Sequence, residues 1–295
     1  MNEFERYNPI VNFLYFVAVI AFAMIFMHPI CLAISLVCSF SYSIMQNGKR
    51  AVKFNFCLLI PMMIIAALIN PAFNHEGVTI IEYLPSGNPL TLESILYGLA
   101  AAVMLCNVIC WFSCYNKIMT SDKFIYLFGR IIPSLSLVLS MTLRFIPNFK
   151  AQIKVVSQAQ RCVGRDVSQG SIIKRARNGI TILSIIITWA LENSIETARS
   201  MKSRGYGLRG RSAFAIFDFD KRDIKILIYI LLLSAYIVIG ASIGGVSFRY
   251  FPSLKSTSIS ALSTSIFVAY FMLCAMPIII EIIEVRKWNV IKSKI

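Results

Sequence analysis

The chain has 295 residues, of which 57% are hydrophobic and only 15% charged, and it carries a formal charge of +15. Soluble domains average about 25% charged residues, so a mean hydropathy of +0.71 excludes an ordinary water-soluble globule and points to the bilayer as solvent. A basic excess beside apolar spans fits cytoplasmic loops under the positive-inside bias. Nucleic-acid binding would need a recognition motif, and no such motif accompanies the charge.

At the N-terminus Glu3 and Glu5 stand where a signal peptide would place a basic cluster, and no small-residue cleavage site precedes His28-Pro29. The first span is therefore expected to be retained. Crossing a bilayer core takes about 20 apolar residues, and six stretches qualify: 10–27, 29–46, 54–69, 92–115, 225–246 and 260–281. The first two are separated by His28-Pro29, where proline stops a continuous helix. Loop charges orient the path. Link 47–53 holds three cations and no anion, whereas link 70–91 holds Glu76 and Glu82 with no cation. From 116 to 225 there are 19 Lys and Arg against 7 Asp and Glu, which is +12 of the total. That region and both termini are expected in the cytoplasm, although loop 247–259 on the outer side carries Arg249 and Lys255.

The expectation is an all-α, polytopic membrane bundle of about six spans with long cytoplasmic coupling helices. It divides into N-terminal membrane helices over 1–115, cytoplasmic or interfacial helices over 116–224, and C-terminal membrane helices with a basic tail over 225–295. The middle region is too long for a loop without structure of its own. Residues 124–147 are apolar but interrupted by Arg130, Pro133, Arg144 and Pro147, which suits a helix partly in the interface. Residues 148–163 alternate apolar positions with Lys150, Lys154, Gln158 and Arg161, a surface-helix pattern. A second helix is expected over 171–204, after a break at Gly164 and Gly170 and before Gly205-Tyr206-Gly207.

Several motifs point to chemistry and are better explained without it. Cys106, Cys110 and Cys114 recur every fourth residue and make one stripe of a helix, a packing pattern rather than a metal or heme site. Gly205–Ser212 approaches a phosphate-binding loop, but Arg211 replaces the required lysine and a helix precedes it, so no nucleotide site is expected. Asp218, Asp220 and Asp223 suggest a magnesium cluster of a lipid or prenyl transferase, the alternative function, yet no second carboxylate set accompanies them. Asp223 is instead expected to cap a helix. His28 and His75 are the only histidines and are expected to be structural. A stand-alone channel is disfavoured because no charged ring or filter pattern appears. No catalytic residue, metal ligand or cofactor is expected.

The strongest functional signal is a pair of arginine-and-glycine corners at helix ends. The first reads Arg161-Cys162-Val163-Gly164-Arg165 and the second Ser203-Arg204-Gly205. An arginine held at a helix end offers a fixed guanidinium fork to a partner carboxylate.

With these corners, His28-Pro29, the segment Asn70-Pro71-Ala72-Phe73-Asn74-His75-Glu76-Gly77, then Gly87-Asn88-Pro89 and Glu93, the chain resembles the transmembrane scaffold (T component) of energy-coupling factor transporters, the CbiQ-like family. Ser203-Arg204-Gly205 resembles that family's second Ala-Arg-Gly coupling motif. Cys162-Val163-Gly164 aligns with the first, with Val163 where the family has arginine; Arg161 and Arg165 flank it, and Arg161 is slightly favoured as the replacement. The resemblance implies a non-catalytic energy-coupling subunit of an ABC transporter in the cell membrane. Its partners would be two cytoplasmic ATPase subunits and a small substrate-binding membrane protein, and its cargo a vitamin or cobalt or nickel. The lipid bilayer is the remaining partner. The topology is testable: in a background without other cysteines, single cysteines at 168 and 210 should escape a membrane-impermeant thiol reagent applied to intact cells. Strong labelling at both would overturn the six-span path.

Overall fold

In the computed structural model, which describes residues 3–83, 89–129, 133–208, 217, 219–256 and 260–292, the chain is helical apart from two short hairpins. The helices are α1 (Pro9–Ile25), α2 (Pro29–Asn47), α3 (Lys49–Phe54), α4 (Ile60–Phe73), α5 (Leu92–Ile118), α6 (Ser121–Gly129), α7 (Pro133–Cys162), α8 (Ile172–Ser203), α9 (Lys221–Ser242) and α10 (Ala261–Lys292). The hairpins are β1 (Ile80–Tyr83) with β2 (Pro89–Thr91), and β3 (Phe248–Arg249) with β4 (Lys255–Ser256), both antiparallel. The described residues form two compact units, Met1–Thr120 with Phe217–Ile295, and Ser121–Ile216.

Five helices, α2, α5, α8, α9 and α10, are long and apolar enough to cross a membrane, and α1 and α4 are shorter apolar helices. The chain is a multi-pass membrane protein of all-α class. Two expectations change in detail. The third span is longer than its apolar stretch, because α3 and α4 are joined by a π-helical turn over Asn55–Leu59. Pro147 does not divide the middle region: α7 runs from Pro133 to Cys162 with Pro147 inside it. A proline there removes one backbone hydrogen bond, and the rest of a 30-residue ladder carries the helix through. Arg130, Gly87, Asn88, Gly210, Arg211, Ser212 and Asp218 lie outside the described residues.

In lipid the apolar effect does not press helices together, so close packing and interhelical hydrogen bonds must do it. The first unit shows both. Trp111 of α5 is fully buried, with its ring edge-on to Tyr15 at 6.2 Å and Phe16 at 6.3 Å. Its indole N–H donates to Ser35 Oγ of α2 at 3.0 Å. One turn earlier, Asn107 Nδ2 donates to the Leu32 carbonyl at 3.1 Å, and Tyr15 Oη donates to the Cys274 carbonyl of α10 at 3.2 Å. The cysteine stripe is buried: Cys106 and Cys110 pack with Leu59, and Cys114 joins the main core. These thiols fill space between helices, as small residues do.

His28 is a structural group. It caps α2, its Nδ1 accepting the Ile30 N–H at 3.2 Å, while its ring lies 4.9 Å from that of Phe267 and 5.5 Å from that of Phe248. An Nδ1 that accepts is unprotonated, and burial lowers the His28 pKa from its ordinary value. A lowered folded pKa means the cap's contribution is present above the free-histidine pKa of about 6.5 and is lost as pH falls through the folded value. In detergent, the wild-type thermal midpoint should therefore fall more steeply below about pH 6.5 than that of His28→Asn, which caps without titrating. Parallel profiles would remove His28 from the pH response. His28→Leu should cost about 1 kcal/mol at neutral pH through loss of the cap.

Candidate functional site

A helix ending in water leaves its last carbonyls without intrahelical partners. Both corners solve this in the same way. At the end of α7 the Arg165 N–H donates to the Gln160 carbonyl at 2.9 Å and the Gly164 N–H to the Arg161 carbonyl at 3.0 Å. At the end of α8 the Tyr206 N–H donates to the Met201 carbonyl at 3.0 Å and the Gly205 N–H to the Lys202 carbonyl at 3.1 Å. This is the Schellman closure, which needs a left-handed residue just past the cap. Gly164 and Gly205 supply it with φ of +78° and +84°.

Because the closures match bond for bond, their residues can be paired by role. Arg161 corresponds to Lys202, Cys162 to Ser203, Val163 to Arg204, Gly164 to Gly205 and Arg165 to Tyr206. Val163 and Arg204 are thus the two cap residues. Val163 is 72% exposed. The closure itself is not the functional signal, since α9 ends the same way at Gly244, with the Gly245 N–H on the Gly240 carbonyl at 3.2 Å. What separates the two corners from that end is their exposed basic side chains.

The first corner is braced by the start of α8. Asn178 Nδ2 donates to the Asp166 carbonyl at 2.9 Å, and Arg175 Nε donates to the Val167 carbonyl at 2.8 Å. The Asp166 carboxylate accepts the Ser168 N–H at 2.9 Å and the Ser168 hydroxyl at 2.7 Å, and it pairs with Arg161 Nε at 3.3 Å. The Ser168 bonds, with Arg161 adding to them, hold the Asp166 pKa below the usual carboxylate range. Arg161 is therefore tied to its own loop, although it remains exposed, as Arg165 and Arg204 are.

Helices α7 and α8 run antiparallel over a short seam. Phe149 meets Trp189 edge-on at 5.6 Å, and Val156 packs with Ile182 and Ile186. From Leu191 to Ser203 no residue of α8 is buried. The second corner lies at the far end of α8 from the first, and 32 residues at about 1.5 Å each separate them by roughly 48 Å. On α8 the inward positions Asn178, Ile182 and Ile186 leave a second apolar face, Ile180, Leu183, Ile187, Leu191 and Ile195, exposed. The sequence predicts a helix here without this double apolar character, for which the three- and four-residue steps on both faces are the signal.

The Asn70–Gly77 segment and Glu93 form a polar clasp instead of a reactive site. Glu93 is 2% exposed and accepts the Thr79 N–H at 3.2 Å and the Thr79 hydroxyl at 2.8 Å. Asn70 Nδ2 donates to the Ser94 carbonyl at 2.8 Å, and the Ser94 hydroxyl to the Asn74 carbonyl at 2.6 Å. A side chain at Gly77 would stand 2.6 Å from Glu93 Oε2, which explains the glycine. Nor do Asp220 and Asp223 resemble a metal site. Asp223 Oδ2 accepts the Asp220 N–H at 3.2 Å in a capping box that starts α9. Among the described residues no group of three or more His, Cys, Asp or Glu is placed to hold a metal ion.

The profile of the family described as "Cobalt transport protein", CbiQ, matches residues 2–214. The chain belongs to this family. It is similar to the energy-coupling factor transporter transmembrane protein EcfT of Lactobacillus helveticus, with 34% identity over 109 residues, 37% of this chain and 39% of that protein. The EcfT of Bacillus selenitireducens is 32% identical over 112 residues, 38% of this chain and 42% of the relative. That of Bacillus subtilis is 27% identical over 105 residues, 35% and 40% respectively. The matched stretch thus spans about two-fifths of these curated relatives. These relatives are named as transmembrane proteins of energy-coupling factor transporters.

The closures are testable apart from any partner. A Cβ at Gly164 meets nothing within 4 Å, so Gly164→Ala isolates the cost of a left-handed cap, about 1–2 kcal/mol. Gly164→Asn should cost less, since asparagine tolerates that conformation. Hydrogen exchange at Arg165 and in the last turn of α7 should rise in the order wild type, Asn, Ala; equal protection would mean that the closure does not hold the corner.

Proposed function

We propose that this chain is the transmembrane energy-coupling subunit of an ECF-type ABC transporter, with two cytoplasmic ATPase subunits docked on its two corners. The observation that carries the reading is the pair of matched, exposed, basic helix ends held roughly 48 Å apart by α8. A single docking surface cannot take both ends at that separation, whereas two ATPase subunits can take one each. When ATP binding draws the ATPases together, the corners follow and the α7–α8 hairpin changes pose. The short apolar seam between the two helices suits such motion, because few side chains must repack.

The second apolar face of α8 supports a further partner. Ile180, Leu183, Ile187, Leu191 and Ile195 fit the apolar flank of a small substrate-binding membrane protein, which would be turned as the hairpin moves. Its cargo would be a vitamin or a cobalt or nickel ion, selected by that partner. Helix α8 is long enough to span a bilayer, yet Lys174, Arg175 and Arg177 lie at one end and Arg199, Lys202 and Arg204 at the other. A crossing would expose one basic cluster outside, against the positive-inside bias. The reading therefore keeps α7, α8 and both termini on the cytoplasmic side of the cell membrane.

Arg204→Glu places a carboxylate against an acidic groove and should lower ATPase retention strongly, by about 2–5 kcal/mol where the contact is desolvated. Arg286→Glu, on the exposed tail of α10, serves as the control and should change retention little. Purification of the complex with each variant, together with uptake in vesicles, checks both; equal small effects would return Arg204 to a lipid-phosphate contact.

A further inference from the structure

Pairing the corners by hydrogen-bond role changes which residue replaces the missing arginine. Arg161 is the counterpart of Lys202, not of Arg204, so a cation at that position is common to both corners and makes up for nothing. Its exposed side chain is also paired with Asp166 at 3.3 Å, on a loop braced by Asn178 and Arg175. Arg165 lies beyond the glycine, exposed, with its backbone N–H pinned to the Gln160 carbonyl. The first corner therefore reads apolar, glycine, cation, with Val163 before Gly164 and Arg165 after it. The second reads cation, glycine, aromatic, with Arg204 before Gly205 and the exposed Tyr206 after it.

We propose that the first corner docks through Arg165 and Val163 in the reverse order about its glycine, and so fits an ATPase surface whose carboxylate and apolar pocket are exchanged relative to the surface that takes Arg204 and Tyr206. The inference rests on the energy-coupling reading and deepens it. One further feature fits it. Val163, two-thirds or more exposed in water, gains by entering an apolar pocket, which an arginine at that position would not. The two corners are then not interchangeable, and each ATPase position is specified by the order of groups around one glycine.

The test uses the complex of the full chain with the ATPase subunits that copurify with it, followed by retention on the affinity resin across a salt series. Arg165→Ala should weaken retention at least about tenfold and lower the salt concentration at which half the ATPase is lost. Arg161→Ala should change retention less than about threefold, as expected of an exposed pair, and Arg165→Lys should restore part of the loss. Rewriting the first corner in the order of the second, as Val163→Arg with Arg165→Tyr, should weaken retention further. A larger loss from Arg161→Ala than from Arg165→Ala, or tighter retention in the rewritten corner, overturns the reversed order while leaving the energy-coupling reading intact. Absence of any ATPase subunit from the wild-type purification overturns that reading and the reversed order together.

Discussion

The end of a helix in water is where this structure is most constrained. Its last carbonyls need donors, and at the ends of α7 and α8 the donors are the chain's own next two N–H groups, brought round by a glycine in the left-handed region. That closure fixes the direction in which the residues on either side of the glycine leave the helix. The exposed groups at each corner are thus held by backbone geometry rather than by a packed core, so they remain available to a partner. The α7–α8 unit needs this, since its seam buries only a few side chains and cannot position its ends by packing.

The membrane unit is held by different means. Its core joins α1, α2, α5 and α10 through Trp111, Tyr15, Asn107 and Ser35, with buried cysteines and small residues at the helix contacts. Polar side chains donate across helices to carbonyls or hydroxyls, and aromatic rings fill the space between them. The clasp of Asn70, Thr79, Glu93 and Ser94 closes the turn from α4 to α5 in the same manner. Such bonds resist separation in lipid because the alternative is an unpaired polar group in hydrocarbon.

The contrast between the units has a mechanical consequence. On the proposed coupling function, a cross-bonded bundle would serve as a fixed anchor and a long two-helix hairpin with a short seam as a lever. Docking chemistry at the ends of that lever can do mechanical work only if the cap transmits force to the helix. A closure of backbone hydrogen bonds does so more directly than a flexible side-chain contact would.

Membrane class, approximate spans, charge asymmetry and the two glycine corners were legible in the sequence, because each depends on composition or on residues within one turn of each other. Asp223 does take part in capping α9, but from the third helical position, and the N-cap is Asp220. Pro147 reads as a break, yet α7 passes through it, because one missing hydrogen bond is small against a 30-residue ladder. The cysteine stripe, Asn107 and Trp111 could be placed on a helix but not against Ser35, Leu32 or Leu59, which lie distant in the chain. At the first corner the sequence left Arg161 and Arg165 as equals in kind, with the helical one preferred. Only the folded loop pairs Arg161 with Asp166, and the matched closures give the sequence alignment of Val163 with Arg204 its geometric basis. Local chemistry determined where the corners are; the pairing of Arg161 with Asp166 depends on how the loop after α7 folds, and that loop is braced by Asn178 and Arg175 only once α8 has packed against it.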